Sequence, residues 1–125
     1  MTIVEKNEMR EYRIVWGITV DAYDEKEKAM GWYYYLEHKL HVPFHARCIC
    51  EKQMSPLVTG EVVKVLSMAS ERDCLHEMWV EVQWGVRKLK LPLSQLKPIN
   101  ADEITNEAVE DWHYWIARGY QFSMV

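Results

Sequence analysis

Apolar and polar residues alternate near the start of the chain. Between Arg10 and Val20, alternate positions carry Tyr12, Ile14, Trp16, Ile18 and Val20. A period of two is typical of a strand with one buried face, so we predict a strand here. We expect residues 1–9 to form a flexible N-terminus.

The period then becomes helical, which predicts a helix at about residues 24–40. Its apolar arc, about 100° wide on a helical wheel, contains Ala29, Trp32, Tyr33, Leu36 and Leu40. Asp24 suits the N-cap position, and the acidic residues that follow suit the first turn. Gly31 lies inside this helix, where glycine costs about 1 kcal/mol relative to alanine. We expect Gly31 to allow another backbone to approach closely.

Alternating segments return after Pro43 and predict strands. They are Phe44–Glu51, Glu61–Met68, Glu77–Trp84 and Val86–Leu93. Gly85 joins the last two segments as a hairpin. Ser94, Gln95 and Leu96 fit a short 3₁₀ turn before Lys97–Ile99.

A second helix is predicted over Ala101–Arg118, with Asn100 as its N-cap and Gly119 just after its end. Its apolar arc contains Ile104, Ala108, Trp112, Trp115 and Ile116. The far face carries Glu103, Glu107, Glu110 and Tyr114, with Asp111 at its edge.

These elements predict an α+β fold. We expect a small bent antiparallel sheet or SH3-like barrel, with one helix inserted at about 24–40 and a C-terminal helix at about 101–118. With 125 residues the chain is expected to form a single domain, 1–125.

Composition narrows the range of partners. The formal charge is −4, and no Lys/Arg cluster stands out along the sequence, so we expect no nucleic-acid partner. Without an apolar run of about 18 residues we expect no membrane span. The N-terminus lacks a signal peptide's apolar core, which predicts a cytoplasmic protein whose three cysteines are reduced thiols.

Four segments, rich in Trp and Tyr, carry a family resemblance. They are V-D-A-Y-D-E-K-E-K-A-M-G-W-Y-Y-Y-L-E (Val20–Glu37), C-L-H-E-M-W-V-E-V (Cys74–Val82), L-P-L-S-Q-L-K-P-I (Leu91–Ile99) and E-A-V-E-D-W-H-Y-W (Glu107–Trp115). From about Arg10 to Phe122 the chain resembles the cyanobacterial calcium-binding protein family of the CcbP type, which lacks EF-hands. The resemblance implies Ca²⁺ bound by surface carboxylates, for calcium buffering or signalling, without catalysis.

Two groups of carboxylates are candidate Ca²⁺ ligands, because Ca²⁺ prefers oxygen. The first helix and the turn before it supply Asp21, Asp24, Glu27 and Glu37, and the last helix supplies Glu103, Glu107 and Asp111. The alternative for the first group is helix capping and solubility. On the last helix, like charges four residues apart repel, and either a bound cation or basic side chains from elsewhere would relieve that repulsion. The alternative for this second group is a solvated acidic face.

Other chemistries have less support. Cys48, Cys50, Cys74 and His76 provide soft ligands for zinc, but their spacing departs from the usual zinc pattern. His113 is interpreted as a histidine hydrogen-bonded at a helix–sheet junction, and no enzyme motif is found. We expect a monomer that binds calcium and possesses an unidentified protein partner. The alternative function is an SH3-like interaction module that presents Trp16, Trp79 and Trp84.

Overall fold

A computed structural model describes residues 4–122 of the chain. Within these residues, two helices are followed by five strands and then by a third helix, which makes the fold α+β. In chain order the elements are α1 (Glu8–Gly17), α2 (Glu25–Lys39), β1 (Phe44–Cys48), β2 (Val62–Met68), β3 (Trp79–Trp84), β4 (Arg87–Pro92), a 3₁₀ helix (Leu93–Gln95), β5 (Leu96–Ile99) and α3 (Glu103–Ala117).

The strands form one antiparallel sheet in the order β4-β3-β2-β1-β5. Among the described residues the two edge strands, β4 and β5, do not pair with each other, so the sheet is open. The predicted α+β fold with an antiparallel sheet is confirmed, but closure of that sheet into an SH3-like barrel is not. No helix within residues 4–122 is long and apolar enough to cross a membrane.

The core lies between one face of the sheet and the helices. The inward residues of the strands, such as Val65, Val80 and Val82, are fully buried. Against them pack the aromatic rings of α2 and α3, where Trp32 and Trp112 meet edge to face with ring centroids 5.0 Å apart. The other face of the sheet is left to solvent.

The first helix of the sequence analysis is confirmed as α2. Asp24 caps it, since the Asp24 Oδ1 accepts from the backbone N–H of Glu27 at 2.7 Å. A Cβ added to Gly31 would lie 2.3 Å from the carbonyl oxygen of Ile18. Gly31 therefore does permit the close backbone approach that its position predicts.

The strand predicted over Arg10–Val20 is wrong, because most of this segment forms helix α1. Ile14 and Ile18 are buried, whereas Tyr12 and Trp16 on the same parity are exposed. Two apolar residues four apart satisfy a helical period as well as a period of two, and here the helical one holds. The helix begins at Glu8, so the end of the expected flexible segment 1–9 is ordered, while residues 1–3 lie outside the described residues.

The last helix is confirmed with a shifted start and a shifted buried face. Asn100 is not its cap but adopts a left-handed conformation (φ 51°), and Asp102 caps the helix by accepting from the N–H of Thr105 at 2.7 Å. Asp111 and Tyr114, predicted at the edge and on the far face, are buried instead. Their burial follows from α1, which packs on that side of α3.

Candidate metal site

The carboxylates before α2 are exposed and partly engaged. Asp24 is the N-cap, so one of its oxygens already accepts a backbone hydrogen bond. Asp21 lies in the turn between α1 and α2 with a left-handed backbone (φ 60°), which aspartate tolerates better than most residues. Glu27 is exposed in the first turn of α2. The structure therefore confirms the predicted N-cap role of Asp24.

Asp111, on α3, is the most enclosed carboxylate of the predicted set. Its side chain is fully buried. The Oδ1 atom accepts from Arg10 Nη1 and from Arg13 Nη2, both at 2.7 Å. The Oδ2 atom accepts from Arg13 Nε at 2.9 Å and from the hydroxyl of Tyr35 at 2.8 Å. We call these four residues, Asp111, Arg10, Arg13 and Tyr35, the Asp111 cluster.

The Asp111 cluster supplies the countercharge of its own carboxylate. The hydrogen bond to Asp111 raises the pKa of Arg13 further above its ordinary value, and Asp111 also attracts the guanidinium electrostatically. Burial, followed by the hydrogen bond to Asp111, raises the pKa of Tyr35. Two guanidinium groups therefore offset one buried carboxylate, as a buried charge requires. Asp111 ties α1 and α2 to α3, and it is not among the calcium ligands that we propose.

The other acidic residues of α3 stay exposed. Glu107 lies 3.5 Å from Arg13, the distance joining its Oε1 to Arg13 Nε. Glu103 occupies the first turn, where a carboxylate suits the positive end of the helix. The repulsion along this helix is thus relieved by arginines of α1, the second of the two remedies that the sequence analysis considers.

Glu37 is different, because it shares its surroundings with a carboxylate from another part of the chain. The hydroxyl of Tyr34 donates to Glu71 Oε1 at 2.6 Å, and Glu71 lies in the loop between β2 and β3. That hydrogen bond is the largest cause of the raised pKa of Tyr34, and the charge of Glu37 adds to it. We call Glu37, Glu71 and Tyr34 the Glu37–Glu71 site.

The same two carboxylates also raise the pKa of Tyr33, whose side chain is buried. Its hydroxyl donates to the carbonyl oxygen of Ala69 at 2.7 Å. Burial raises the pKa of Tyr33 to about 12, and the charges of Glu37 and Glu71 contribute. Both carboxylates therefore act to raise the pKa values of one pair of phenols, Tyr33 and Tyr34.

Glu71 is the functional candidate that the sequence analysis missed. It lies in a polar loop beside Arg72 and Asp73, 34 positions after Glu37, and no periodic pattern links Glu37 and Glu71. The sequence identifies only Glu37 of this site, because Glu37 ends the first of the segments that carry the family resemblance.

The predicted ligands do not converge on one point. Within residues 4–122, no group of three or more His, Cys, Asp and Glu side chains is placed to hold a metal ion. This applies to the zinc hypothesis as well, and both Cys48 and Cys74 are buried. What the structure relates to each other are Glu37 and Glu71, because both act on Tyr33 and Tyr34.

The remaining predicted chemistry falls outside this site. His113 Nε2 lies 3.2 Å from the carbonyl oxygen of Leu93, and burial lowers the pKa of its ring. This confirms a histidine at a helix–sheet junction. Of the three tryptophans offered for an interaction surface, Trp16 is exposed, while Trp79 and Trp84 are partly buried.

Comparison with known proteins relates this geometry to a family. The family model for calcium binding of the CcbP type matches residues 12–116. The crystal structure of Anabaena CcbP is 43% identical, with a TM-score of 0.87, and the match covers 98% of this chain and 100% of that one. A calcium binding protein in its calcium-binding form is 41% identical, with a TM-score of 0.86 and the same coverage. No curated protein sequence matches. The chain belongs to the CcbP family of calcium-binding proteins.

Proposed function

We propose that this protein binds Ca²⁺ at the Glu37–Glu71 site. The observation that carries the proposal is the hydrogen bond from Tyr34 to Glu71, together with the charge that Glu37 exerts on the same phenol. The two carboxylates come from a helix and from a loop 34 positions away, yet they act on one pair of tyrosines. The similar protein described in its calcium-binding form supports Ca²⁺ as the cation.

The donor set fits a hard cation. Ca²⁺ takes six to eight oxygen ligands and accepts carboxylates, carbonyls and water. Glu37 and Glu71 would supply the carboxylate oxygens, and the phenol oxygen of Tyr34 is a further neutral donor. Water would complete the shell, since among the described residues no third acidic side chain joins the pair. A site with two carboxylates and several waters is expected to bind in the micromolar range or more weakly.

Such a site suits a calcium buffer or a calcium signalling protein of the cytoplasm, without catalysis. The exposed position of Glu37 and Glu71 allows the ion to exchange with solvent. The other predicted ligands, Asp21, Asp24, Glu27, Glu103 and Glu107, would then act through capping, ion pairing and solubility.

Calorimetric titration with Ca²⁺ tests the proposal. The double variant Glu37→Gln/Glu71→Gln is expected to lose at least about tenfold in affinity, because the carboxylate count sets Ca²⁺ affinity. The matched control, Glu103→Gln/Glu107→Gln, removes two charges from α3 and is expected to bind as the unaltered protein does. Calcium binding that survives in the first variant and disappears in the second would overturn the assignment.

A protein-interaction role is the second candidate, and one surface favours it. Tyr12 and Trp16 on α1 are 69% and 61% exposed, and their ring centroids lie 6.3 Å apart. Adjacent exposed aromatic rings are frequent at protein interfaces. The same titration separates the two roles, because a chain that keeps only the interaction role gives no calcium signal in the unaltered protein or in the control.

A further inference from the structure

Charge is divided unequally between the strands and the rest of the chain. The five strands carry six Lys and Arg residues: one each in β1, β2 and β5, and three in β4. They carry one acidic residue, Glu81 in β3. The whole chain has 15 basic and 19 acidic residues, so everything outside the strands holds nine basic and eighteen acidic ones. An acidic protein thus contains a basic sheet.

Strand register collects most of these basic residues on the face away from the helices. One row across the sheet, read from β5 to β4, is Ile99, His45, Lys64, Gln83 and Lys88. The neighbouring row is Lys97, Arg47 and Val62. Neither row contains an acidic residue. We call these eight residues the basic sheet face.

The basic sheet face has uncommitted charges. Arg47 donates to the carbonyl oxygen of Gly60 at 3.1 Å. Within residues 4–122, the ammonium groups of Lys64, Lys88 and Lys97 make no ion pair or hydrogen bond. Lys97 and Arg47 face each other on neighbouring strands, which lie about 4.8 Å apart, so two like charges are held close together on a rigid frame. An anionic partner would relieve that repulsion.

Hollows on this face add an apolar component. A groove of about 260 Å³ is lined by His45, Val62 and Lys64 among others. A larger cavity of about 480 Å³ opens beside it, where Val62, Ile99 and His45 meet Phe44. Val62 is 43% exposed at the junction of the two hollows. An aliphatic side chain of a partner would therefore find a contact between the basic groups.

We propose that the basic sheet face docks an acidic segment of another protein. Charge complementarity selects an anion, and the apolar centre at Val62 selects one that carries aliphatic side chains. The two rows contain no Phe, Tyr or Trp on which bases could stack, which disfavours single-stranded nucleic acid. Glu81 lies in the next row beside Lys90, where a uniformly anionic nucleic acid or lipid surface would meet repulsion. A polypeptide can place a basic or polar residue there.

Fluorescence anisotropy with a labelled glutamate-rich peptide containing interspersed leucines tests the proposal, in buffer with a chelator so that calcium plays no part. The unaltered protein is expected to bind this peptide, and added salt is expected to weaken binding. Lys64→Glu/Lys97→Glu is expected to weaken it at least about tenfold, because two attractive charges become repulsive. Lys6→Glu/Lys26→Glu makes the same charge change on the helical side and is expected to keep full affinity. Unchanged melting temperatures establish that each variant folds.

Four outcomes would overturn the proposal. The first is no binding of the peptide, and the second is equal loss in both double variants. The third is tighter binding to oligouridylate or to phosphatidylserine vesicles than to the peptide, which would assign the face to another class of partner. The fourth is self-association in sedimentation that Lys64→Glu/Lys97→Glu abolishes, which would make a second copy of the chain the occupant.

Discussion

The Asp111 cluster and the Glu37–Glu71 site both place carboxylates beside tyrosines, with opposite results. Asp111 is fully buried, and two guanidinium groups and a phenol occupy its oxygens. Glu37 and Glu71 are exposed, and their charge raises the pKa values of Tyr33 and Tyr34. In the Asp111 cluster the chain itself supplies the cations, Arg10 and Arg13. The Glu37–Glu71 site contains two carboxylates and no cation of its own.

This difference separates carboxylates that hold the fold from carboxylates that are available to an ion. A buried carboxylate needs its countercharge in every folded molecule, so evolution of the sequence has to supply it from the chain itself. A pair of exposed carboxylates is solvated by water when no ion is bound, so it can bind and release a cation reversibly. A reversible calcium site is therefore expected in the exposed region, although the buried region holds the more numerous contacts.

Replacing Asp111 tests the structural half of this comparison and has the largest expected effect. Asp111→Asn removes the charge but keeps the size of the side chain, and it leaves Arg10 without an ion pair and Arg13 with only the exposed Glu107. Breaking a buried ion pair from one side costs about 3–5 kcal/mol. Urea unfolding is expected to show a loss of about that size in the free energy of unfolding.

Glu107→Gln is the matched control for that variant. Glu107 also contacts Arg13 from α3, but its side chain is 54% exposed. An exposed ion pair contributes about 0–1 kcal/mol, so the control is expected to unfold almost as the unaltered protein does. Equal losses in the two variants would show that burial does not distinguish Asp111 from its neighbour.

Replacing Gly31 tests whether its close contact with Ile18 positions helix α1, which carries Arg10 and Arg13. A methyl group at position 31 would meet the carbonyl oxygen of Ile18 at 2.3 Å, which forces α1 away from α2. Overpacking against backbone costs up to about 3 kcal/mol, and alanine regains about 1 kcal/mol of helix propensity. Gly31→Ala is therefore expected to lower the free energy of unfolding by about 2 kcal/mol while calcium affinity is retained.

Gly17, at the end of α1, is the matched control for Gly31. A Cβ at Gly17 meets nothing within 4 Å, so Gly17→Ala is expected to be neutral or slightly stabilising. Urea unfolding of the two variants makes the measurement. If Gly17→Ala destabilises the protein as much as Gly31→Ala does, then the close approach to Ile18 is not the cause.

The parts of the fold that depend on local pattern could be predicted from the sequence. Helix α2, its Asp24 cap and its buried arc all depend on residues within a few turns of one another. The hairpin of β3 and β4 is local in the same sense. Helix α1 was not predicted because Ile14 and Ile18 fit both a helical period and a period of two. Tyr12 and Trp16 extend the period of two, although both side chains are exposed.

The parts of the site that depend on distant partners could not be predicted in this way. Asp111 is bonded to Arg10 and Arg13, which lie 101 and 98 positions earlier in the chain. Glu71 meets Tyr34 across 37 positions. An acidic stripe on a helical wheel looks the same whether arginines cover it or not. The basic sheet face escapes notice for a related reason, since its members are scattered along five strands and only register brings them together.

The titration of Tyr33 tests the Glu37–Glu71 site, and it has the smallest expected effect. Its pKa is raised to about 12, first by burial and then by the charge of Glu37. An unfolded tyrosine titrates near 10, so the folded state holds this proton more tightly. The stability that results is complete below about pH 10 and is lost as the pH rises through about 12.

Glu37→Gln removes one of the charges that raise this pKa. Tyr33 is then expected to titrate below about 12 but still above 10, because burial is the larger cause and remains. NMR of protein with labelled tyrosine rings follows each phenol separately. Glu107→Gln is the control, because Glu107 raises the pKa of Tyr35 and is not a cause of the shift at Tyr33. If Tyr33 titrates identically in the unaltered protein and in Glu37→Gln, then Glu37 does not share the surroundings of Tyr33, and the exposed pair loses one of its two carboxylates.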